Sequence, residues 1–407
     1  MIQTSLIENA HNDLVTDAAY DFYGLRLATC SLDQRIKVWQ LDEVQGTWSV
    51  EDDWKAHDAA ITKVSWAHPE FELDQPQVNG ASTSSSSRWL ERAVLVDAKG
   101  TVRAVEFAPQ HFGLKIATIS SDNHLRIYEC LEQPSLLTWQ LAEEVDVLTL
   151  PSSSPATHSL SHTVTQVTPT QTLSTLEGTS VALAAHAIQQ QQPPSRPGMG
   201  NKEADGGWCI SWCKDRYWGE VIAAACGIDG KVKVIQLSPS RRPSTLLTLD
   251  PSPAKPSTEG GNTRPTSQSA ETESTAYSVT SIAWAPSCGR SYHLIATGSR
   301  DGRVRIWRVK PPTLNDEYDQ DGDGESDGAD TKWNASIVGD FDDHKSSIGR
   351  VEWNITGTVL SSAGNDGRVR LWKATTGNVW RPAGHISVEQ AEEQQPDVDM
   401  EENVVVE

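Results

Sequence analysis

The sequence predicts an all-β fold, a β-propeller of six blades. Five segments align without gaps, and in each of them an Asp lies six residues before a large terminal side chain. Each segment follows a short apolar run that is rich in β-branched residues, which is typical of a strand rather than of a helix. The five segments are CSLDQRIKVW ending at Trp39, ISSDNHLRIY at Tyr128, CGIDGKVKVI at Ile235, GSRDGRVRIW at Trp307 and AGNDGRVRLW at Trp372.

Each repeat contains the strands of one blade in chain order. An upstream run that often ends in an aromatic residue, such as ITKVSW or VTSIAW, predicts the first strand. A second run, such as LRLATC, leads into the Asp turn, and the turn joins it to the third strand. One blade cannot bury both of its faces, so the blades must stack around a ring.

Six strand sets follow from this pattern, one of them incomplete. The first set runs from about His11 to Trp54, and the others begin at Ala56, Thr101, Trp208, Val279 and Ile348. The second set is truncated near 71–91, where the chain passes from Phe71 into a polar run and resumes at RAVLVD. Its two middle strands and its Asp turn are missing. A deletion in the gene model, a short blade, or a blade filled by another segment would each give this pattern.

Polar insertions divide the predicted propeller. Blades one to three occupy 1–149, a Ser/Thr/Gln/Pro-rich insertion 150–207, blade four 208–250, a linker 251–276, blades five and six 277–385 with an acidic loop 311–331, and an acidic tail 386–407. These segments are too polar to bury a core, so we expect disorder. Most of the net charge of −21 belongs to 311–343 and the tail. The acidity argues against general binding to a phosphate backbone.

The repeated polar residues are interpreted as a structural network. A turn Asp can bind an incoming His, which reaches a Ser or Thr and then a Trp indole, because buried polar groups must be paired. Repetition in several blades favours this interpretation over a catalytic triad. The predicted network contains His11, Thr29, Asp33, Trp39, Asp122, Asp229, Asp301, Trp307, His344, Ser362, Asp366 and Trp372. The Arg residues that follow the turns, Arg126 among them, are interpreted as facing solvent.

The sequence predicts no enzyme, no cofactor and no metal site. Cys209 and Cys213 have no further ligands at zinc-site spacing, and the cysteines are expected to be reduced and mostly buried. Asp319, Asp321 and Asp323 mimic a calcium loop but lack flanking helices. A propeller enzyme or lectin, and a reader of chromatin or phosphopeptides, remain as alternatives, because fold does not fix function.

Several stretches resemble one branch of the WD-repeat proteins, the Seh-type nucleoporins of the Sec-thirteen/Seh family. They include IENAHNDLVTDAAYDFYGLRLATCSLDQRIKVW, HDAAITKVSWAHPEF, CISWCKDRYWGEVIAAACG and FDDHKSSIGRVEWNITGTVLSSAGNDGRVRLWK. The resemblance covers about two thirds of the chain, and the polar insertions look like those of fungal members. The second blade departs from the family pattern, since the family has a strand, an Asp turn and a strand there.

The resemblance implies an open six-bladed WD-repeat propeller that acts as a scaffold. An α-solenoid nucleoporin of the nuclear pore Y-complex would insert a strand set at the open edge between the first and last blades. Other implied partners are further Y-complex subunits and the vacuole- or lysosome-associated complex that regulates TOR signalling. The implied locations are the nuclear envelope and, peripherally, the vacuolar or lysosomal membrane, with no direct contact to nucleic acid and membrane association only through the complex. A Sec-thirteen-like vesicle-coat subunit and a generic WD-repeat adaptor are the alternatives.

Overall fold

The computed structural model describes residues 7–71, 89, 91–132, 135–151, 205–238, 241–251, 277–312 and 332–387. Within these ranges, twenty strands form five antiparallel sheets of four strands, each in chain order. Three single-turn 3₁₀ helices, Pro69–Phe71, Gln110–Phe112 and Arg216–Trp218, lie in the connections. No helix in the described ranges is long and apolar enough to cross a membrane.

We call the sheets the first to fifth blades. The first contains β1 (Val15–Tyr20), β2 (Arg26–Ser31), β3 (Arg35–Asp42) and β4 (Thr47–Lys55), and the second β5 (Val102–Phe107), β6 (Lys115–Ser120), β7 (His124–Cys130) and β8 (Trp139–Asp146). The third contains β9 (Cys209–Trp212), β10 (Val221–Ala225), β11 (Val232–Ser238) and β12 (Arg241–Leu249). The fourth contains β13 (Val279–Trp284), β14 (His293–Ser299), β15 (Val304–Lys310) and β16 (Asn334–Phe341), and the fifth β17 (Ile348–Trp353), β18 (Val359–Gly364), β19 (Arg368–Ala374) and β20 (Trp380–Ser387).

The structure is an all-β WD-repeat propeller, but the predicted count of six blades is wrong, because the described residues form five. The second strand set forms no sheet: residues 56–68 and 91–98 have no strand pairing. Its middle strands are absent from the sequence, so the first strand of that set has no neighbour with which to exchange backbone hydrogen bonds. The predicted insertions 150–207, 251–276 and 311–331 and the tail 386–407 lie almost entirely outside the described residues.

The remnant of the second set still occupies the position of an innermost strand. Trp66 Nε1 donates to the carbonyl of Ala19 in the first blade at 2.8 Å. On the other side, the amide of Phe107 in the second blade donates to Ser65 Oγ at 3.2 Å. Residues 61–66 therefore connect the first and second blades, although the described residues between these blades form no sheet.

The Asp turns join the second and third strands of every blade. In each turn the Asp carboxylate accepts the amide of the residue two positions later, and the residue between them has a positive φ. These bonds are Asp33 with Arg35 (3.0 Å), Asp122 with His124 (3.1 Å), Asp229 with Lys231 (3.2 Å), Asp301 with Arg303 (2.9 Å) and Asp366 with Arg368 (3.2 Å). Gly adopts this left-handed conformation readily, whereas Gln34 and Asn123 adopt it at a cost.

Three apolar clusters pack neighbouring blades together. They join the second blade to the third, the third to the fourth, and the fourth to the fifth. Strands β10 and β14 are buried along their whole length, as expected where both faces of a sheet are covered. Among the described residues, none of the three clusters includes a residue of the first blade. Within the described residues, the first blade is therefore attached to its neighbours by hydrogen bonds rather than through one of these apolar clusters.

Candidate partner interface

The first blade contains a complete polar network. His11 Nδ1 lies 3.0 Å from Asp33 Oδ2, and its Nε2 lies 2.8 Å from Thr29 Oγ1. Trp39 Nε1 donates to the same hydroxyl at 2.9 Å. The chain before β1 is thereby tied to the Asp turn and to both middle strands.

The fifth blade repeats this arrangement. His344 Nδ1 lies 2.9 Å from Asp366 Oδ1, and Nε2 lies 2.8 Å from Ser362 Oγ. The indole of Trp372 donates to Ser362 Oγ at 2.8 Å. Arg370 adds a donor to Asp366, so two cationic or polar groups hold one carboxylate.

In the second and fourth blades an Arg takes the place of the His. Arg126 donates to Ser120 Oγ and to Asp122, each at 2.7 Å. Arg305 bonds Ser299 at 3.0 Å and Asp301 at 2.8 Å in the same way. Arg126 is 0% exposed, so its interpretation as a solvent-facing residue was wrong. Alternating polar and apolar residues predict a solvent-facing side of a strand only where the next blade does not cover that side.

The other predicted network residues are only partly assembled. Trp307 Nε1 donates to Thr297 Oγ1 at 3.1 Å, without a His in the described part of that blade's network. Asp229 accepts the Lys231 amide, and Ile235 stands where other blades carry Trp or Tyr. The third blade therefore depends on apolar packing more than on a polar network.

The fifth-blade network predicts an acid-sensitive stability. Burial pushes the pKa of Asp366 upward, but hydrogen bonds from Arg370 and His344 outweigh this and hold the pKa at about 2. A depressed folded-state pKa contributes stability above the unfolded value near 3.8, and that contribution is lost as pH falls through about 2. Asp366→Asn should remove about 2 kcal/mol at pH 7 and much less near pH 2. Urea unfolding across this pH range measures it, and an equal loss at both ends would contradict it.

The buried thiols are not arranged for chemistry. Five of the six cysteines are buried, Cys288 is exposed, and all six are free. Burial raises the pKa of Cys213 and of Cys226 to about 12, so both remain protonated thiols. No group of three His, Cys, Asp or Glu residues suited to a metal ion occurs among the described residues.

The fourth–fifth seam and the contact of the first blade with residues 61–66 have the same three cross-blade hydrogen bonds. Thr280 Oγ1 donates to the carbonyl of Ile348 at 2.6 Å. Ser281 Oγ accepts the amide of Val351 at 3.0 Å, and Trp353 Nε1 donates to the carbonyl of Ala283 at 3.0 Å. Thr16, Asp17 and Ala19 make the corresponding three bonds to Ile61, Val64 and Trp66.

All three bonds are lost where the fifth blade meets the first. When the innermost strands are aligned, Gly349 stands in place of the Thr, Arg350 in place of the Ser or Asp acceptor, and Tyr20 in place of the Trp. Glycine has no hydroxyl, arginine cannot accept, and tyrosine has no indole N–H. Instead, Arg350 donates across the seam to the Asp17 carboxylate and, at 2.6 Å, to the carbonyl of Ala18.

The fifth blade also leaves an apolar face uncovered at this seam. Arg350 pairs with Ala363, which pairs with Val369, so the three side chains share a face, and Leu371 lies on the same face. Val369 is 36% exposed and Leu371 is half-buried. The corresponding residues of the fourth blade, Val304 and Ile306, are 0% exposed because the fifth blade covers them.

The first blade presents a matching uncovered face. Tyr20 is 60% exposed, whereas Trp353 at the same position of the fifth blade is 9% exposed. The Tyr20 ring lies 5.8 Å from the Trp48 ring. Val15 is likewise exposed, although its counterpart Ile348 is completely buried. The two faces contain apolar side chains of the kind that other blades bury against a neighbour.

We call this surface the first–fifth seam, formed by Val15, Tyr20 and Trp48 of the first blade and Arg350, Val369 and Leu371 of the fifth. The family resemblance implies a partner interface at the open edge between the first and last blades, without naming any of these residues. Alignment of the innermost strands could have found two of them, because Arg350 and Tyr20 stand where the fourth–fifth seam uses Ser281 and Trp353 for its cross-blade hydrogen bonds.

This chain is similar to known WD-repeat proteins and to nucleoporins. The family of the WD domain, G-beta repeat matches residues 3–40, 268–308 and 335–373. Nucleoporin SEH1 of Saccharomyces cerevisiae is 31% identical over 94% of this chain and 99% of its own length. Nucleoporin seh1 of Schizosaccharomyces pombe is 31% identical over 96% of this chain and 98% of its own. Nucleoporin SEH1 of Homo sapiens is 31% identical over 92% of this chain and 85% of its own length.

Proposed function

The chain belongs to the SEH1 family of WD-repeat nucleoporins, and on that premise we propose that it is a non-enzymatic scaffold subunit of the nuclear pore Y-complex. As such it supports the transport of protein and mRNA across the nuclear envelope. The names of its relatives and the WD-repeat match support a structural role. The family resemblance also supports membership of the vacuole-associated complex that regulates TOR signalling.

The first–fifth seam is the observation that carries the proposal. An α-solenoid nucleoporin inserts strands of its own there and covers the apolar faces that contain Tyr20 and Leu371. Such strand addition combines backbone hydrogen bonds with apolar pockets. The seam suits it because both faces are already formed by rigid sheets, so little ordering of this chain opposes binding.

Affinity purification of the tagged full-length chain tests the assignment. We expect one α-solenoid protein in stoichiometric amount, together with other Y-complex subunits. Recovery of vesicle-coat subunits instead would favour the Sec-thirteen-like alternative. A chain that elutes alone at physiological salt, with no stoichiometric partner, would contradict the proposal.

A further inference from the structure

We propose that Arg350 is a latch, which holds the first and fifth blades together while the first–fifth seam is empty and is displaced when a partner's strands enter. This inference rests on the proposed function and concerns how the same site is regulated. Its basis is the arrangement of polar groups on both sides of the seam.

The latch spans a gap that apolar packing does not close. The Arg350 guanidinium reaches from the fifth blade to the Asp17 carboxylate and to the carbonyl of Ala18 in the first. The fourth–fifth seam has an apolar cluster in addition to its hydrogen bonds. None of the three apolar clusters in the described residues crosses the first–fifth seam. A pair of charge-assisted hydrogen bonds is thus the principal attachment there.

Asp17 keeps partners when the latch opens. Its buried carboxylate also lies 2.9 Å from Lys63 Nζ and 3.1 Å from the amide of Val64. Removal of one partner from a buried carboxylate is costly mainly when the group is left unpaired. When Arg350 moves away, Asp17 keeps the Lys63 ammonium and the Val64 amide as partners. Opening of the seam therefore does not leave the Asp17 carboxylate buried and unpaired.

Arg350 also keeps a partner. Its Nε donates to Glu352 at 3.1 Å, and its side chain is 32% exposed. After release from the first blade, the guanidinium can remain beside Glu352 and become hydrated. Asp17 and Arg350 therefore each keep a polar partner after they separate, so the contact between them can break and form again.

The variant Arg350→Gln tests the latch in the free full-length chain. Hydrogen–deuterium exchange of the β1 and β2 amides should accelerate by about three- to tenfold, since the seam opens more often. Arg290→Gln is the matched control. Arg290 donates across the fourth–fifth seam to the carbonyl of Gly357 at 3.1 Å, but the apolar cluster keeps that seam closed. Equal exchange in Arg350→Gln and in the unmodified chain would overturn the latch.

Binding kinetics give the second readout, with the solenoid protein recovered by affinity purification as the probe. Arg350→Gln should raise its association rate and leave the dissociation rate unchanged, because only the empty state loses a contact. Slower association or faster dissociation would overturn the latch and make Arg350 a partner contact instead. If no solenoid protein is recovered, the proposed function fails, while the exchange experiment still decides whether Arg350 closes the seam.

Discussion

Leu371→Asp should abolish co-purification of the solenoid partner and leave the propeller folded. Leu371 is half-buried on the uncovered face of the fifth blade, beside Val369. In the free chain an Asp there reaches water, whereas beneath inserted strands its carboxylate would be buried without a partner. We expect affinity to fall by about 100-fold or more, which is roughly 3 kcal/mol.

Val44→Asp is the matched control for that substitution. Val44 lies in the turn between β3 and β4 and is 95% exposed. This variant should bind as the unmodified chain does. Circular dichroism should show similar unfolding temperatures for both variants. If folded Leu371→Asp still binds the partner in stoichiometric amount, the fifth-blade face is not part of the interface.

Arg126→Ala should cause the largest loss of folding stability. Arg126 is fully buried and donates to Asp122 at 2.7 Å, to Ser120 at 2.7 Å and to Glu144 at 2.8 Å. Burial would raise the pKa of Asp122, but the bonds from Arg126 and Ser120 hold it far below its usual range. The substitution leaves the Asp122 carboxylate without its cation, at a cost of about 3–5 kcal/mol.

The control for Arg126 is another Arg at an Asp turn. Arg303 pairs with Asp340 at 2.9 Å, but both side chains are about one third exposed. Because exposed ion pairs contribute little, Arg303→Ala should cost less than about 1 kcal/mol. Urea unfolding of the unmodified chain, Arg126→Ala and Arg303→Ala, monitored by tryptophan fluorescence, measures the loss of free energy of unfolding in each variant. Similar losses of stability in the two variants would show that burial does not strengthen the ion pair between Arg126 and Asp122.

Local patterns were enough to predict most of the fold. The Asp turns, the terminal Trp residues and the apolar runs each depend on a few neighbouring residues, and the five segments that were aligned correspond to the five blades. The networks of His11 and His344 could also be predicted, because the spacing of His, Asp, Ser or Thr and Trp is constant.

The wrong predictions concern features that depend on packing between neighbouring blades. The run ITKVSW retains the cross-blade contacts of an innermost strand, as Trp66 shows, yet a first strand alone does not make a blade. Arg126 alternates like a surface residue but lies beneath a covered face. Alignment could single out Tyr20 and Arg350, but the exposure of Tyr20 and the contact of Arg350 with Ala18 became visible only in the folded blades.

The most direct test of the proposed interface is a hydrogen-exchange comparison of the free chain with its purified complex. We expect the partner to protect the amides around Tyr20 and Trp48 in the first blade and around Val369 and Leu371 in the fifth. Protection confined to other surfaces, such as residues 61–66 where the second strand set forms no blade, with unchanged exchange in β1 and β19, would contradict it.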